Sequence, residues 1–289
     1  MALVSQGSSG NPLIATMDTL VESVHFFAED PPWTLGKKLL RVNVSDIICK
    51  GALPRQALLS VALPKFYEEA AFESFCMGLG EDLLRWGVDL IGGDLVTTSG
   101  PMTLTLALTG ECVSRFAVHR NGASANDDLF VTGVVGEGIL GLDEVRSGRL
   151  GAHSEHYRVP RIPALSTASL VAEYASSSID ISDGLLSDTK HLSDQSGIGV
   201  ELRLDHVPWA AACNDVEDML RLATGGDDYQ TLVTIPNRRS DSFRIAAREL
   251  GLSVTCIGHT TTAGLGLSLK LNGAPVIVPQ MTGFNHLKT

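Results

Sequence analysis

This sequence has no cysteine pair, no long apolar run and no cluster of basic residues. Its five cysteines are odd in number and include no C-x-x-C pair, so we expect neither a disulfide scaffold nor a structural zinc site. No apolar run approaches the roughly 18 residues that span a bilayer. Residues 1–12 lack the basic start and the apolar core of a signal peptide. We therefore expect a cytoplasmic protein with no membrane partner.

Acidic residues outnumber basic ones along the chain. The 22 Lys and Arg residues stand against 33 Asp and Glu residues, which gives a formal net charge of −11 and a pI near 5.1. Because this balance comes with no Lys/Arg cluster, we expect no nucleic-acid partner. An acidic protein that binds an anionic nucleotide needs a cation between the two, so candidate metal ligands are of particular interest.

Two common nucleotide-binding signatures are absent. The chain has neither the G-x-x-x-x-G-K-[ST] pattern of P-loop proteins nor the protein-kinase motifs. A G-x-G-x-x-G pattern does occur at 136–141, after a predicted strand. A dinucleotide site also requires an acidic residue at the end of a second strand about 20 positions later, and residues 155–160 do not have a strand pattern. We expect these glycines to allow tight helix packing instead.

Aspartates follow predicted strands, glycines or an apolar helical stripe at four places. They are Asp18, Asp46, Asp94 and the pair Asp180 and Asp183. Each alone fits an ordinary turn or helix cap, which Asp and Gly favour. If they converge, two carboxylates 4–5 Å apart repel by roughly 3–4 kcal/mol at an effective dielectric constant of 20, so cations are needed. Oxygen ligands without a His or Cys pair favour Mg²⁺, which predicts a magnesium–polyphosphate site.

Hydrophobic patterns predict two α/β halves in the 289 residues. Strands are predicted at 13–17, 56–63, 88–91, 102–109, 129–132, 178–182, 199–204, 230–235, 254–257 and 267–271, and helices at about 34–50, 66–86, 139–145, 166–174, 185–194 and 240–250. The strand at 88–91 is expected to be buried, and residues 1–11 and 151–163 to lack regular structure. The polar segment 115–128 separates a domain at 1–118 from one at 119–289.

Several charged residues allow more than one interpretation. Arg120 lies in the interdomain segment and suits a phosphate clamp, although an isolated loop arginine is usually a surface residue. His25 alone fits a structural histidine. Lys50 follows Asp46 by one helical turn, so the two can form an ordinary surface pair. Asp188 and Asp194 are expected to be solvated charges on a helix surface.

Seven segments occur in a characteristic order: Thr16-Met-Asp-Thr-Leu-Val-Glu-Ser-Val-His-Phe26, Val42-Asn-Val-Ser-Asp46, Gly92-Gly-Asp94, Arg120-Asn-Gly-Ala123, Asp180-Ile-Ser-Asp-Gly-Leu185, Gly225-Gly-Asp-Asp-Tyr229 and Gly283-Phe-Asn-His286. This order resembles that of the thiamine-monophosphate kinase family, within the superfamily of aminoimidazole ribonucleotide synthetase. The resemblance begins near residue 13 and covers nearly all of the remaining chain. The first and fifth segments are specific, whereas Gly-Gly-Asp alone is not.

The resemblance implies a mixed α/β (α+β) fold with two domains. The N-terminal sheet would form a barrel across a homodimer, and the C-terminal domain would be an α/β sandwich. The implied activity is direct transfer of a phosphoryl group from ATP, with Mg²⁺, to thiamine monophosphate. Asp46, Asp94, Arg120 and Asp183 are the implied catalytic residues. Thr16, Met17, Asp18, Asp46, Asp94, Asp180 and Asp183 match metal positions, Gly93, Asp94, Arg120 and Ser182 match ATP positions, and His25, Asp227 and Phe284 match positions facing thiamine monophosphate.

This chain also departs from the family pattern. An acidic Gly-Asp-Asp segment that precedes the first strand in the family is replaced by residues 7–12, which removes one metal-binding carboxylate. Met17 replaces a hydroxyl residue, Asp227 replaces a glutamate, and Lys50 follows Cys49 where small apolar residues are usual. We hypothesise that Lys50 supplies a fixed positive charge in place of the lost metal. A late start of the chain, a weakened or inactive nucleotide-binding relative, and an ATP-dependent synthetase remain alternatives.

Overall fold

The computed structural model describes residues 2–6, 10–262, 264 and 266–284. The first sheet contains five strands in the order β1-β2-β5-β3-β4, of which only β3 and β4 are parallel neighbours. Its strands are β1 (Ala2–Gln6), β2 (Pro12–Val21), β3 (Ala52–Pro64), β4 (Asp89–Thr98) and β5 (Thr103–Cys112), and the helices of this half are α1 (Pro32–Ile48) and α2 (Glu69–Trp86). In β5, which matches the strand predicted at 102–109, buried residues alternate with partly exposed ones along most of its length, as is typical of a strand with one face on the core.

The second sheet contains seven strands in the order β12-β11-β8-β10-β6-β9-β7. They are β6 (Asp127–Thr132), β7 (Ser177–Asp180), β8 (Gly199–Arg203), β9 (Thr231–Pro236), β10 (Val254–Thr261), β11 (Leu267–Leu271) and β12 (Ala274–Val276). The helices are α3 (Glu137–Arg146), α4 (Ala152–Arg158), α5 (Ser166–Tyr174), α6 (Leu185–Ser196), α7 (Val216–Thr224) and α8 (Ser240–Glu249). Neither sheet closes on itself within the described ranges, and no helix there is long and apolar enough to cross a bilayer.

Helix α1 is the element around which the first half packs, because it is buried along nearly its whole length. It begins at Pro32, two residues before the predicted start at 34, and the hydroxyl of Thr34 donates to the carbonyl of Pro31. Proline fits this first position because it lacks the N–H that would otherwise have no helical partner. Arg41 binds Asp82 of α2 in a buried, two-pronged ion pair, with Nε 2.5 Å from Oδ2 and Nη2 3.1 Å from Oδ1. This pair fixes α2 against α1.

Strand β4 differs from the sequence prediction in length and in exposure. It is ten residues long, and nine of those residues are exposed because β4 lies at the edge of the sheet. Leu90, Ile91, Leu95 and Val96 are 45–56% exposed. The prediction of a buried strand at 88–91 is therefore wrong for the single chain. A long apolar edge strand presents unpaired backbone groups with which another chain can pair.

Two further segments are more regular than their sequences suggest. Residues Ala2–Gln6 form β1, which pairs antiparallel with β2. Residues 152–158 form α4, although the segment 151–163 is predicted to be a loop. Ser154, His156 and Tyr157 of α4 are buried, so tertiary contacts stabilise a helix that is too short to be stable by itself.

Candidate active site

Three of the predicted aspartates converge where the two sheets approach each other. Asp18 comes from β2, Asp46 from α1 and Asp180 from the last position of β7. Ligand atoms of Asp46, Cys49 and Asp180 all lie within 4.8 Å of one another. The hydroxyl of Thr16 donates a hydrogen bond to Asp46 Oδ2, and Ser45 Oγ lies 2.9 Å from Asp180 Oδ2.

The electrostatics of this cluster favour a bound cation. Burial, and next to it repulsion by Asp46, raises the pKa of Asp18 to about 7. The same two causes, in the same order, raise the pKa of Asp180 to about 7, against a usual value of 3.8. A divalent cation relieves both effects, because it replaces lost hydration and neutralises the repulsion. Hard carboxylate oxygens at this spacing fit Mg²⁺, which commonly binds through one or two carboxylates together with substrate phosphates.

Asp183 is held beside this cluster by Asp188, which was predicted to be a solvated charge. Asp188 is not a solvated surface charge, because only 2% of it is exposed. Its Oδ2 accepts hydrogen bonds from the backbone N–H groups of residues 182, 183 and 184, at 3.1, 3.1 and 3.2 Å. Asp188 therefore fixes the turn that presents Ser182 and Asp183. Asp194, by contrast, is exposed and pairs with Lys190, as predicted.

The cluster forms one side of a pocket of about 590 Å³. Asp18, Asp46, Asp180, Ser182 and Asp183 line the pocket together with apolar and aromatic side chains. Those other side chains include Val24, Phe27, Ile139, Leu142, Tyr157 and Phe284. The rings of Phe27 and Tyr157 pack 6.1 Å apart. The pocket thus combines a carboxylate-rich part with a surface that suits an aromatic ligand.

Phe284 reaches the pocket from the far end of the chain. Its backbone N–H donates to the carbonyl of Asp183 at 3.0 Å. The preceding Gly283 allows this approach, since a Cβ there would lie 2.4 Å from the same carbonyl oxygen. Asn285 and His286, which complete the predicted closing motif, lie outside the described residues.

His25 and Asp227 both line the pocket, and the buried Lys38 connects them. The backbone N–H of Val21 donates to His25 Nδ1 at 3.0 Å, which leaves Nε2 as the protonated nitrogen of a neutral ring. Lys38 Nζ lies 3.0 Å from the carbonyl oxygen of His25 and 3.0 Å from Asp227 Oδ2. Tyr229 Oη donates to the other carboxylate oxygen of Asp227 at 2.9 Å.

Four of the predicted residues lie elsewhere or at the pocket margin. Met17 lines the pocket but is 66% exposed. Gly93 and Asp94 are exposed on the edge strand β4. Arg120 is also exposed, and its carbonyl accepts a hydrogen bond from Ser196. Among the described residues, Gly93, Asp94 and Arg120 are not part of the pocket lining.

Lys50 and Cys49 are buried behind the carboxylates. The alternative interpretation of Lys50 as a surface partner of Asp46 does not describe its main contact, because its Nζ donates to the carbonyl of Ser178 on β7. Its positive charge acts to lower the pKa of Asp180, against the larger effects of burial and of Asp46. Burial raises the pKa of the Cys49 thiol. Lys50 therefore lies close to the cluster, and its role in place of the lost metal stays a hypothesis.

The glycine pattern at 136–141 opens α3 without the features of a dinucleotide site. The backbone N–H groups of Gly136 and Gly138 donate to the buried carboxylate of Asp228, at 2.8 and 3.0 Å. A Cβ at Gly138 would lie 2.2 Å from the carbonyl of Gly226. The N-terminus of α3 therefore already has an anionic partner within the chain, and the glycines permit close packing, as expected.

Sequence reasoning missed Lys38, Tyr157 and Asp188. A signal for Lys38 was present, because Lys38, Val42 and Asp46 are spaced by four residues and share one helical face. Tyr157 had no such signal, since its short helix shows no apolar stripe. Asp188 could not be recognised because its partners are backbone groups of the preceding turn.

Comparison with known proteins shows which family this chain is similar to. Residues 2–112 match the family described as AIR synthase related protein, N-terminal domain. The thiamine-monophosphate kinase of Caulobacter vibrioides is 34% identical over 99% of this chain and 83% of its own length. That of Escherichia coli strain K12 is 34% identical over 96% of this chain and 87% of its own length.

One solved structure is similar to this chain over nearly its whole length. The structure of AaThiL complexed with AMPPCP and TMP superposes with a TM-score of 0.83, at 29% identity, covering 99% of this chain and 90% of that one. The match to these two relatives extends over 96–99% of this chain. This chain belongs to the thiamine-monophosphate kinase family.

Proposed function

We propose that this protein transfers the γ-phosphoryl group of ATP to the phosphate of thiamine monophosphate, giving thiamine diphosphate and ADP. The observation that carries this proposal is the pocket, in which a carboxylate cluster and an aromatic surface lie side by side. An acceptor with a phosphate at one end and two aromatic rings at the other is complementary to both. The relatives named above, and the structure with AMPPCP and TMP, support the same reaction.

The residues of this chain act by positioning and by electrostatics. An acceptor phosphate oxygen attacks the γ-phosphorus, and the bond to the β,γ-bridging oxygen breaks as ADP leaves. The acceptor is already anionic, so no strong general base is required. Asp18, Asp46, Asp180 and Asp183 would hold Mg²⁺, with Thr16 orienting Asp46 and Met17 at the margin. Bound Mg²⁺ neutralises the negative charge of the phosphates during transfer.

The acceptor would occupy the aromatic part of the pocket. Phe284 offers a ring face for stacking on an aromatic heterocycle. His25 presents an Nε2–H donor, and Asp227 presents a carboxylate that Lys38 and Tyr229 hold in place. Ser182 and Asp183 lie at the junction between this part and the carboxylate cluster.

The remaining nucleotide residues would act in a homodimer. We propose that the first sheet pairs with that of a second copy through β4 and closes a barrel across the dimer. The exposed apolar side chains of β4 support this arrangement. Gly93 and Asp94 would then contribute to an ATP site beside the subunit contact, with Arg120 clamping the phosphates.

Two further assignments complete the proposal. We divide the chain into domains at 1–118 and 119–289, because the two sheets lie on either side of this boundary. We place the protein in the cytoplasm, and its five free cysteines fit a reducing compartment.

The direct test combines the purified protein with ATP, Mg²⁺ and thiamine monophosphate and measures ADP and thiamine diphosphate together. We expect the two products in equal amounts, and ADP release that depends on the acceptor. Asp183→Asn should abolish turnover, whereas Asp194→Asn, on the exposed face of α6, should not. ATP binding by calorimetry without thiamine diphosphate would identify a nucleotide-binding relative that lacks the activity. ADP formation with another acceptor only would indicate a synthetase.

A further inference from the structure

Lys38 is a buried cation that contacts three separate segments of the chain. It lies on α1 and is 1% exposed. Its Nζ donates to the carbonyl of His25 and to Asp227 Oδ2, both at 3.0 Å. The same nitrogen lies 4.0 Å from the centre of the Tyr157 ring. A buried ammonium group is costly without partners, and here an anion, a carbonyl and an aromatic face all serve as partners.

Each of these three segments supplies a wall of the acceptor part of the pocket. His25, Tyr157 and Asp227 all line the pocket, whereas Lys38 is not among its described lining residues. Tyr157 Oη also donates to the carbonyl of His25, at 3.3 Å. The ammonium group therefore lies behind the wall, where it can fix the relative positions of three lining residues without touching a ligand.

The Asp227 segment needs such an external contact. Asp227 and Tyr229 have φ values of 68° and 49°, in the left-handed region that residues other than glycine seldom adopt. Such a conformation persists only where surrounding contacts determine it. Lys38 holds one carboxylate oxygen of Asp227 and Tyr229 holds the other. Loss of the Lys38 contact would leave a partly exposed carboxylate on a strained turn.

We propose that Lys38 is a positioning residue for the acceptor, which holds His25, Tyr157 and Asp227 in the arrangement that binds a phosphorylated heterocycle. This inference rests on the proposed function. It predicts a loss of acceptor affinity without a loss of nucleotide affinity, because the contacts of Lys38 all lie in the acceptor part of the pocket. A residue that only stabilised the fold would affect both substrates alike.

Lys37 provides a matched control on the same helix. It is also buried, and it combines two ion pairs, one of them 3.8 Å from Asp82 Oδ1, with one aromatic contact. Its Nζ lies 2.8 Å from Glu81 Oε2 and 3.8 Å from the centre of the Trp33 ring. These partners belong to the packing of α1 against α2. Lys37→Met therefore disturbs interactions similar to those of Lys38, but away from the pocket.

The experiment measures KM for thiamine monophosphate and for ATP, and kcat, in the full chain and in both variants. We expect Lys38→Met to raise the acceptor KM at least tenfold and to change the ATP KM less than twofold. Lys38→Arg keeps the charge and should recover part of the acceptor affinity. Lys37→Met should leave both KM values within twofold. An unchanged acceptor KM in Lys38→Met, or an equal rise in Lys37→Met, overturns the proposal.

A double variant keeps the test valid if Lys38→Met folds poorly. Lys38→Met with Asp227→Asn removes both charges, so no carboxylate is left without its ammonium partner. If Lys38 acts through Asp227, the double variant should raise the acceptor KM no more than the larger of the two single effects. If the increases in acceptor KM of the two single variants multiply in the double variant, Lys38 does not act through Asp227.

Calorimetric measurement of thiamine monophosphate binding tests the proposed activity and the positioning role of Lys38 separately. A wild-type protein that binds the acceptor without turning it over contradicts the proposed activity, but the ratio of Kd values for wild type and Lys38→Met still tests the positioning role. A wild-type protein that turns the acceptor over, beside a Lys38→Met variant with an unchanged Kd, overturns the positioning role alone. Absence of acceptor binding by the wild type overturns both.

Discussion

Replacement of Asp180 by asparagine should stabilise the metal-free protein and at the same time remove its activity. Asp180 is 6% exposed, and burial together with the nearby Asp46 raises its pKa to about 7. Asparagine has nearly the same shape and keeps an oxygen that can accept the hydrogen bond from Ser45 Oγ. The variant therefore removes a buried charge without opening a cavity.

The size of the effect follows from the difference in pKa between the folded and unfolded chains. The usual value of 3.8 describes the unfolded state, and about 7 describes the folded state. Because the folded-state pKa is raised, ionisation of Asp180 lowers the free energy of unfolding. This destabilisation is absent below pH 3.8, grows as the pH rises, and becomes constant above pH 7. At about 1.36 kcal/mol per unit, Asp180→Asn should stabilise the protein by at most about 4 kcal/mol at pH 8 and by less than half of that at pH 5.

Chemical denaturation in the presence of EDTA measures this gain at the two pH values. Asp194→Asn is the control, since that carboxylate is exposed and its replacement should change the free energy of unfolding by less than about 0.5 kcal/mol. Addition of Mg²⁺ at pH 8 should stabilise the wild type more than the Asp180→Asn variant. Steady-state assays should show that the variant loses at least about 100-fold in kcat, because one ligand of the proposed metal site is gone.

Two results would refute this reasoning. One is an Asp180→Asn variant that is no more stable than the wild type at pH 8 in EDTA. The other is a gain in stability that does not shrink between pH 8 and pH 5, because a gain independent of pH cannot come from removal of a titrating group.

The remaining predictions concern other parts of the pocket. Asp188→Ala leaves the backbone N–H groups of residues 182–184 without their acceptor, so thermal unfolding should show a loss of about 1–3 kcal/mol or more, and kcat should fall because the turn carrying Asp183 moves. Lys50→Met should raise the Mg²⁺ concentration for half-maximal activity severalfold, and an unchanged Mg²⁺ titration would exclude a fixed-charge role. Phe284→Ala should raise the acceptor KM about tenfold through lost stacking and leave the ATP KM unchanged, whereas Phe284→Tyr should restore it.

Elements with strong local patterns were predictable from the sequence. The alternation in β5 and the apolar stripe of α1 reflect burial of one face within a single half of the molecule. The prediction failed for β4, because an apolar strand was taken to be buried when it lies at the edge of a sheet. It also failed for α4, whose formation depends on burial of Ser154, His156 and Tyr157 rather than on a helical pattern. In both cases the deciding factor is a neighbour that is distant in the sequence.

The sequence allowed us to predict most aspartates of the carboxylate cluster, but not the residues that surround them. Asp18, Asp46 and Asp180 follow strands or an apolar stripe, and those positions bring them together. Asp94 follows a predicted strand as well, but the structure places it within β4, which is exposed at the edge of the first sheet. Lys38 escaped notice because lysine is usually on the surface, and only the three-dimensional arrangement shows the partners that make its burial possible.

Adjacent Asp227 and Asp228 show how the pocket depends on the junction between the two halves. Asp227 pairs with Lys38 on α1, in the first half. Asp228 accepts from the backbone of Gly136 and Gly138 at the start of α3, in the second half, and the body of α3 supplies other parts of the pocket wall. One turn thus ties both halves to the same ligand site. Substrates that bind between them must stabilise this junction, because ligand affinity for the assembled pocket adds directly to the free energy that holds the halves together.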